Sequence, residues 1–292
     1  MPSLILFFDP EPDPRAIARE LSSVGPSTGN VGCQNVLILR GNVYSTVCCN
    51  WGGLGTNRVP TAIEGFDILV DGGFPRNSVN IVSGPSGSAK SLFCLHFIFN
   101  GVEEFSEPSI YVSYEESADT LRETLRNFGM RPEGPESKGA LSFIDLGEMR
   151  KLSQGDEFLD FDSLESMLTG LIDATGAKRL VVDSLAVLGL HYDNLNDFRR
   201  ELFQFGRFLS EKEITSILVT EAGEEGRLTR FGIEQFIADS FIYLGLDNVK
   251  GELRRTIIVR KMRLTNHDIC VHPFLITNKG MKVSSDVKVE GV

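Results

Sequence analysis

Residues 84–91, GPSGSAKS, follow the apolar run VNIVS and precede LFCLHFIFNGV. A Lys-Ser pair closing a glycine-bearing loop is the combination that holds a nucleotide's phosphates. In such a loop a strand delivers the chain, and glycines let backbone N–H groups approach phosphate oxygens. A helix then begins with its positive end toward the anion. Gly84 and Gly87 supply the permissive positions, with Pro85, Ser86 and Ser88 completing the cradle. Lys90 is expected on the β- and γ-phosphates and the Ser91 hydroxyl on Mg²⁺. Ala89 stands where the pattern has its last glycine. That departure costs about 1–2 kcal/mol if the position needs a positive φ, an amount a whole cradle can absorb. An ordinary Gly/Ser turn with an accidental lysine would share the glycines. The strand before the loop and the helix opening at Lys-Ser favour the phosphate site.

Two acidic sites follow in order. YVSYEES puts Glu115 and Glu116 at a strand's carboxyl edge, where open α/β sheets bind ligands. One of the two can orient or deprotonate a water for in-line attack on a γ-phosphate. Adjacent acids also open helices because of the helix dipole, so position alone leaves both readings standing. KRLVVDS then ends an apolar strand in Asp183, whose carboxylate would hold Mg²⁺ through a hydration water. A strand-end aspartate is by itself equally a helix cap. In order and spacing with the other two motifs it reads as the metal-side acid.

The elements that must position these groups alternate regularly from Arg58 onward. Strands are expected at SVNIVSG, SIYVSY, LSFIDL, RLVVDS, ITSILVTE and DSFIYLGL, with helices at about 89–102, 118–128, 162–175 and 197–210. Near-continuous apolar strands separated by helices imply an α/β fold with a mainly parallel central sheet covered on both faces. After Asn248 the pattern changes to antiparallel hairpins, ELRRTIIVRKM, VHPFLITN and MKVSS, the last two joined by NKG.

The span from Arg58 to Met281 closely resembles the KaiC family of RecA-like ATPases. The likeness is carried by GFD…GGFP, the phosphate loop, the double glutamate, Asp183, RRELFQFGRFL and KMRLTNHD. It implies a RecA-like P-loop core over residues 58–284, with 285–292 a tail. In that family the nucleotide lies between subunits of a ring, usually a hexamer, so the resemblance implies a homo-oligomer with ATP and Mg²⁺ at its interfaces. It implies that Glu115 and Glu116 are the catalytic acids and that Lys261 and Arg263 reach a neighbour's γ-phosphate. Thr265 and His267 fall where the family makes further contacts across the interface. Without the resemblance, Lys261 and Arg263 could equally be charges protecting an edge strand.

There are departures from the family pattern. The clock member has two such domains in tandem, whereas this chain carries one. Gln235 and Phe236 occupy the positions of its phosphate-accepting Ser-Thr pair, so autophosphorylation and timekeeping are not expected. Asn278 replaces an expected interface aspartate, and Ala89 remains unusual.

Composition narrows the alternatives. The chain has 292 residues, 41% of them hydrophobic, which is enough for a sizeable core. Its net charge of -11 gives no global basic footprint for nucleic acid. A recombinase-like ATPase of the RadA kind would need basic loops after the strand that ends in Asp183 and after the strand that follows it. Here LAVLGLHYDNLND has no Lys or Arg, and EAGEEGRLTRFG sets Arg227 and Arg230 against Glu221, Glu224 and Glu225. Nucleic-acid binding is therefore unfavoured. A dinucleotide enzyme is set aside because the loop ends in Lys-Ser where a third glycine is required.

The apolar run after Met1, LILFF, is too short for a signal or membrane segment, and a cytoplasmic protein is expected. Five cysteines in no metal-ligand spacing read as free thiols. Residues 1–57 differ in kind and form an extension of unread role, a small add-on, a disordered arm or a misassigned gene start, with a helix expected at 14–23. Two functions fit the whole: a slow Mg-ATPase ring with a regulatory or signalling role, and a nucleotide-gated oligomerisation module with negligible turnover.

Overall fold

The protein is a computed structural model, which describes residues 37–39, 42–44, 57–153, 160–223, 226–249 and 251–289. It divides into two units, Met1–Gly55 and Thr56–Val292. In the first, β1 (Leu37–Leu39) pairs antiparallel with β2 (Asn42–Tyr44). The helix expected at 14–23 lies outside the described residues.

The second unit is built on one nine-stranded sheet. A lead-in supplies β3 (Arg58–Val59), α1 (Phe66–Leu69) and β4 (Phe74–Pro75). There follow β5 (Val79–Gly84), α2 (Lys90–Phe105), β6 (Ser109–Ser113), α3 (Ala118–Asn127) and α4 (Glu133–Ser137). Next come β7 (Leu141–Asp145), α5 (Leu146–Ser153), α6 (Phe161–Thr175), β8 (Arg179–Asp183) and α7 (Leu185–Gly189). The chain continues through α8 (Leu195–Glu211), β9 (Thr215–Glu221) and α9 (Glu234–Ile237). It closes with β10 (Ser240–Val249), β11 (Glu252–Met262), β12 (His272–Thr277) and β13 (Gly280–Val283).

The spatial order is β13-β12-β11-β10-β5-β9-β8-β6-β7. The six strands from β10 to β7 are parallel, and β10 to β13 pair antiparallel. The mainly parallel sheet and the terminal hairpins expected from the sequence are both present. The four long helices fall within three residues of their expected ends.

Successive side chains of a strand point to opposite faces, so a strand apolar throughout must be covered on both. That is the arrangement here. Val82, Tyr111, Val181 and Ile217 join one core with α2 and α3, including Phe66, Phe93 and Phe97. Ile81, Ile110, Leu180 and Leu218 join the other, with α6 and α8 contributing Phe161, Phe198 and Phe205. Phe66 meets Phe93 edge-on at 5.0 Å between centroids, a geometry that adds about 0.5–1.5 kcal/mol beyond area burial. Two packed faces fix the height of every strand end, and the finishing edge of the parallel strands carries the site. No helix among the described residues is long and apolar enough to cross a membrane.

Candidate active site

β5 ends in glycine for a steric reason. A Cβ on Gly84 would stand 2.2 Å from the Leu244 carbonyl oxygen and 2.6 Å from Ser88 Oγ. Gly87 turns the loop at φ 82°. Ala89 has φ 70° and ψ 33°, so the position does demand the left-handed region, and alanine there carries roughly 1–2 kcal/mol of strain. Its carbonyl nonetheless caps the first turn of α2 by accepting from Phe93 N at 3.1 Å.

The two side chains opening α2 both make polar contacts around the loop. Lys90 Nζ donates to the carbonyls of Gly84 at 2.9 Å and Pro85 at 3.0 Å, which hold the ammonium across the loop. Ser91 Oγ donates to Asp183 Oδ2 at 3.1 Å, and the same oxygen accepts from the Tyr111 hydroxyl at 2.6 Å. Burial pushes the Asp183 carboxyl above its ordinary range. The Tyr111 and Ser91 hydrogen bonds pull the other way, and Glu115 and Glu116 push it further up. A buried carboxylate beside a serine hydroxyl, with two more carboxylates near, is a hard-oxygen set with excess negative charge. It fits a divalent cation such as Mg²⁺.

Glu115 is exposed at the end of β6, and its Oε1 accepts from Ser184 Oγ at 2.8 Å. Glu116 is half-buried, its backbone N–H donating to Ser113 Oγ at 3.0 Å. A cavity of about 270 Å³ gathers these groups. It is lined by Ser86, Gly87, Ala89, Lys90, Ser91, Leu92, Glu115, Glu116, Asp183, Ser184 and Glu221. Glu221, at the end of β9, had been read only as a loop charge. Arg255 was not singled out at all, yet its Nε donates to the Gly87 carbonyl at 3.2 Å from across the sheet. Tyr111 and Ser184 were likewise missed. Of these, only the lone tyrosine inside the otherwise aliphatic SIYVS carried a visible signal.

Lys261, Arg263, Thr265 and His267 are not in this cavity. Lys261 is in register with Phe241, whose other neighbour is Ile81 of β5. Its Nζ donates to the carbonyls of Gln235 at 3.3 Å and Ala238 at 2.5 Å. Burial and the adjacent Arg263 lower its pKa, with Asp239 opposing. Arg263 pairs with Asp239 Oδ1 at 2.9 Å, and the other oxygen of Asp239 accepts from Val79 N, where β5 begins. Roughly 16 Å of strand, at about 3.3 Å per residue, separates this starting edge from the phosphate loop. Thr265 Oγ1 accepts from Arg58 Nη1 at 2.7 Å and donates to the Arg263 carbonyl at 3.0 Å, so its hydroxyl is engaged within the chain. His267 Nδ1 is buried without a hydrogen-bond partner among the described residues. Two adjoining cavities share Phe203, Ile237 and Arg263 at this edge, one of them also lined by Arg199, Arg200 and Phe236. Phe203 and Phe236 are exposed.

Comparison with known proteins shows the family and the fold. The family model described as KaiC ATPase matches residues 59–288. The chain is 34% identical over 236 residues to the circadian clock oscillator protein KaiC of Nostoc, covering 80% of this chain and 45% of that protein. It thus spans about half the length of the clock relatives it matches. It is 37% identical to a UPF0273 protein of Methanocaldococcus jannaschii, covering 78% of this chain and 97% of the relative. The crystal structure of a KaiC-like protein from Pyrococcus horikoshii superposes with a TM-score of 0.69 at 35% identity. That match covers 78% of this chain and 99% of the other.

Proposed function

The chain belongs to the KaiC family of ATPases, and from that premise we propose that it is a Mg-dependent ATPase working as a homo-oligomeric ring whose state a partner protein reads.

The observation that carries this reading is the convergence on one cavity of a lysine, a serine–aspartate pair and two glutamates, brought from the start of α2, the segment after β6 and the end of β8. With ATP bound, the loop N–H groups and Lys90 would hold the phosphates, and Ser91 and Asp183 would hold Mg²⁺. The cation supplies charge neutralisation to the transferring phosphoryl group. Glu115, whose Oε1 accepts from Ser184 Oγ, and Glu116 would position and deprotonate the attacking water. At about 270 Å³ the cavity lies below the usual 300–1,000 Å³ of ligand sites, which suits a triphosphate with the rest of the nucleotide held elsewhere.

A ring supplies the missing wall. Lys261 and Arg263 sit at the opposite edge, too far to serve their own loop, and a neighbour's γ-phosphate is the anion they can meet. Arg263 is 57% exposed, and its pair with Asp239 is worth at most about 1 kcal/mol, so releasing it costs little. An arginine delivered this way stabilises charge on the transferring oxygens. Slow turnover and a regulatory output come with the family likeness. The second reading, a nucleotide-gated module without appreciable turnover, draws on the strained Ala89.

The test is Mg-dependent ATP hydrolysis beside light scattering after size exclusion, on the wild type, Lys90→Ala and Glu115→Gln/Glu116→Gln. Turnover lost in both variants, with an ATP-stabilised ring kept in the glutamate variant, is the expected result. Assembly with no turnover above the variants would favour the second reading.

A further inference from the structure

Arg230 Nη1 holds Glu221 Oε2 at 2.6 Å, and Glu221 lines the nucleotide cavity. Both side chains are more than a third exposed, so the pair is worth at most about 1 kcal/mol to stability, which gives no structural reason for it.

Arg230 belongs to a segment tied down on every side. The Leu228 carbonyl accepts from Ser83 Oγ of β5. Thr229 is fully buried, and its Oγ1 donates to Gln235 Oε1 at 2.6 Å. Glu234, also fully buried, accepts from Thr220 Oγ1 at 3.0 Å and from the backbone N–H groups of Phe231 and Ile233. The next carbonyls, of Gln235 and Ala238, are those that hold Lys261 Nζ. A continuous set of bonds therefore runs from the cavity at the finishing edge of the sheet to Lys261 at the starting edge. A terminal phosphate entering the cavity alters this set at one bond, because it competes as a multiply charged anion for the guanidinium that Glu221 holds.

We propose that Glu221 and Arg230 are a positioning pair. They register a terminal phosphate in their own subunit's cavity and, through residues 226–238, set the placement of Lys261, which serves the neighbouring subunit. The proposal rests on the ring reading above. When Arg230 turns from Glu221 toward the phosphate, Thr229 and Gln235 move with it. Lys261 then keeps or loses its carbonyl partners, so neighbouring sites do not act independently. Linkage makes the binding part of this coupling reciprocal.

The experiment compares wild type, Arg230→Gln, Thr229→Val and the charge swap Glu221→Arg/Arg230→Glu. It reads melting temperature, affinity for a fluorescent ATP analogue, and kcat and KM for ATP. In Arg230→Gln and Thr229→Val, nucleotide affinity is expected to stay within about threefold while kcat falls about tenfold and cooperativity in ATP is lost. The swap restores an ion pair, so melting temperature returns, but it puts a cation in the cavity, and kcat does not return. Recovery of kcat together with melting temperature would show the pair to be structural only. Unchanged kcat in Arg230→Gln would equally overturn the proposal. In either case an active wild type leaves the ring reading standing, whereas a wild type without turnover overturns both.

Discussion

β8 carries a buried charge at each end, and the two ends have opposite fates. At its start Arg179 is fully buried, yet its Nε meets Glu107 Oε2 at 2.8 Å and its Nη1 meets the carbonyls of Pro60 and Phe97. The guanidinium also lies over the rings of Phe97 and Phe105, and Glu107 is held by Arg76 as well. At its finish Asp183 receives two hydroxyl hydrogen bonds, and no Lys, Arg or His forms an ion pair with it among the described residues. A charge buried without a counter-charge is costly. The starting end has its ion pair and holds the fold together. The finishing end lines the cavity where the proposed chemistry gathers.

The largest effect should come from removing the unpaired charge. Asp183→Asn keeps the shape and an acceptor for Tyr111 and Ser91. Mg-dependent turnover is predicted to fall at least about a hundredfold with melting temperature unchanged or raised, because an uncompensated buried charge is gone. A drop in melting temperature would break the comparison. Removing the paired charge should do the reverse. Arg179→Ala leaves Glu107 with Arg76 alone and opens a hole against Phe97, at a cost of about 3 kcal/mol by denaturant titration. Turnover per folded molecule should not change.

His96 tests the same logic with a proton. It is buried in α2, where its Nε2 accepts from Met281 N at 3.1 Å, and a Cβ on Gly280 would collide with its ring. Burial lowers its pKa to about 4 from 6.5. The unfolded chain therefore binds more protons between those values. The stability this residue contributes is complete above pH 6.5 and is lost as pH falls toward 4, by roughly 3 kcal/mol. A His96→Gln variant should flatten that part of the stability profile. The smallest effect belongs to Ala89→Gly, which relieves left-handed strain but frees the unfolded chain. A net gain of no more than about 1 kcal/mol is expected, with turnover equal to or above wild type.

These contrasts explain what could be read in the sequence. Strands such as RLVVDS announce themselves because both faces are apolar, and GPSGSAKS does so because glycines and Lys-Ser are local requirements. Asp183 could be placed at a strand end, but its Tyr111 partner lies 72 residues away, and only the parallel register of β6 and β8 brings them together. Arg255 reaches Gly87 across 168 residues, through the long β10–β11 ladder. Whether Ala89 was strained depended on a backbone angle that no residue type reveals. Arg179 carries no local signal of its burial, because its partners Glu107, Pro60 and Phe97 lie 72, 119 and 82 residues away. The residues assigned to a neighbouring subunit could be found only by resemblance, since nothing in KMRLTNHD names its target.

The central claim is that one site is completed by two subunits. Its most direct test mixes two inactive proteins, Lys90→Ala, which keeps Lys261 and Arg263, and Lys261→Ala/Arg263→Ala, which keeps the phosphate loop. In a ring with head-to-tail contacts, random mixing in equal amounts makes about a quarter of the interfaces whole. The account predicts ATP turnover at about that fraction of wild type, rising and falling with the mixing ratio. No recovery at any ratio, from proteins shown to co-assemble, would contradict it.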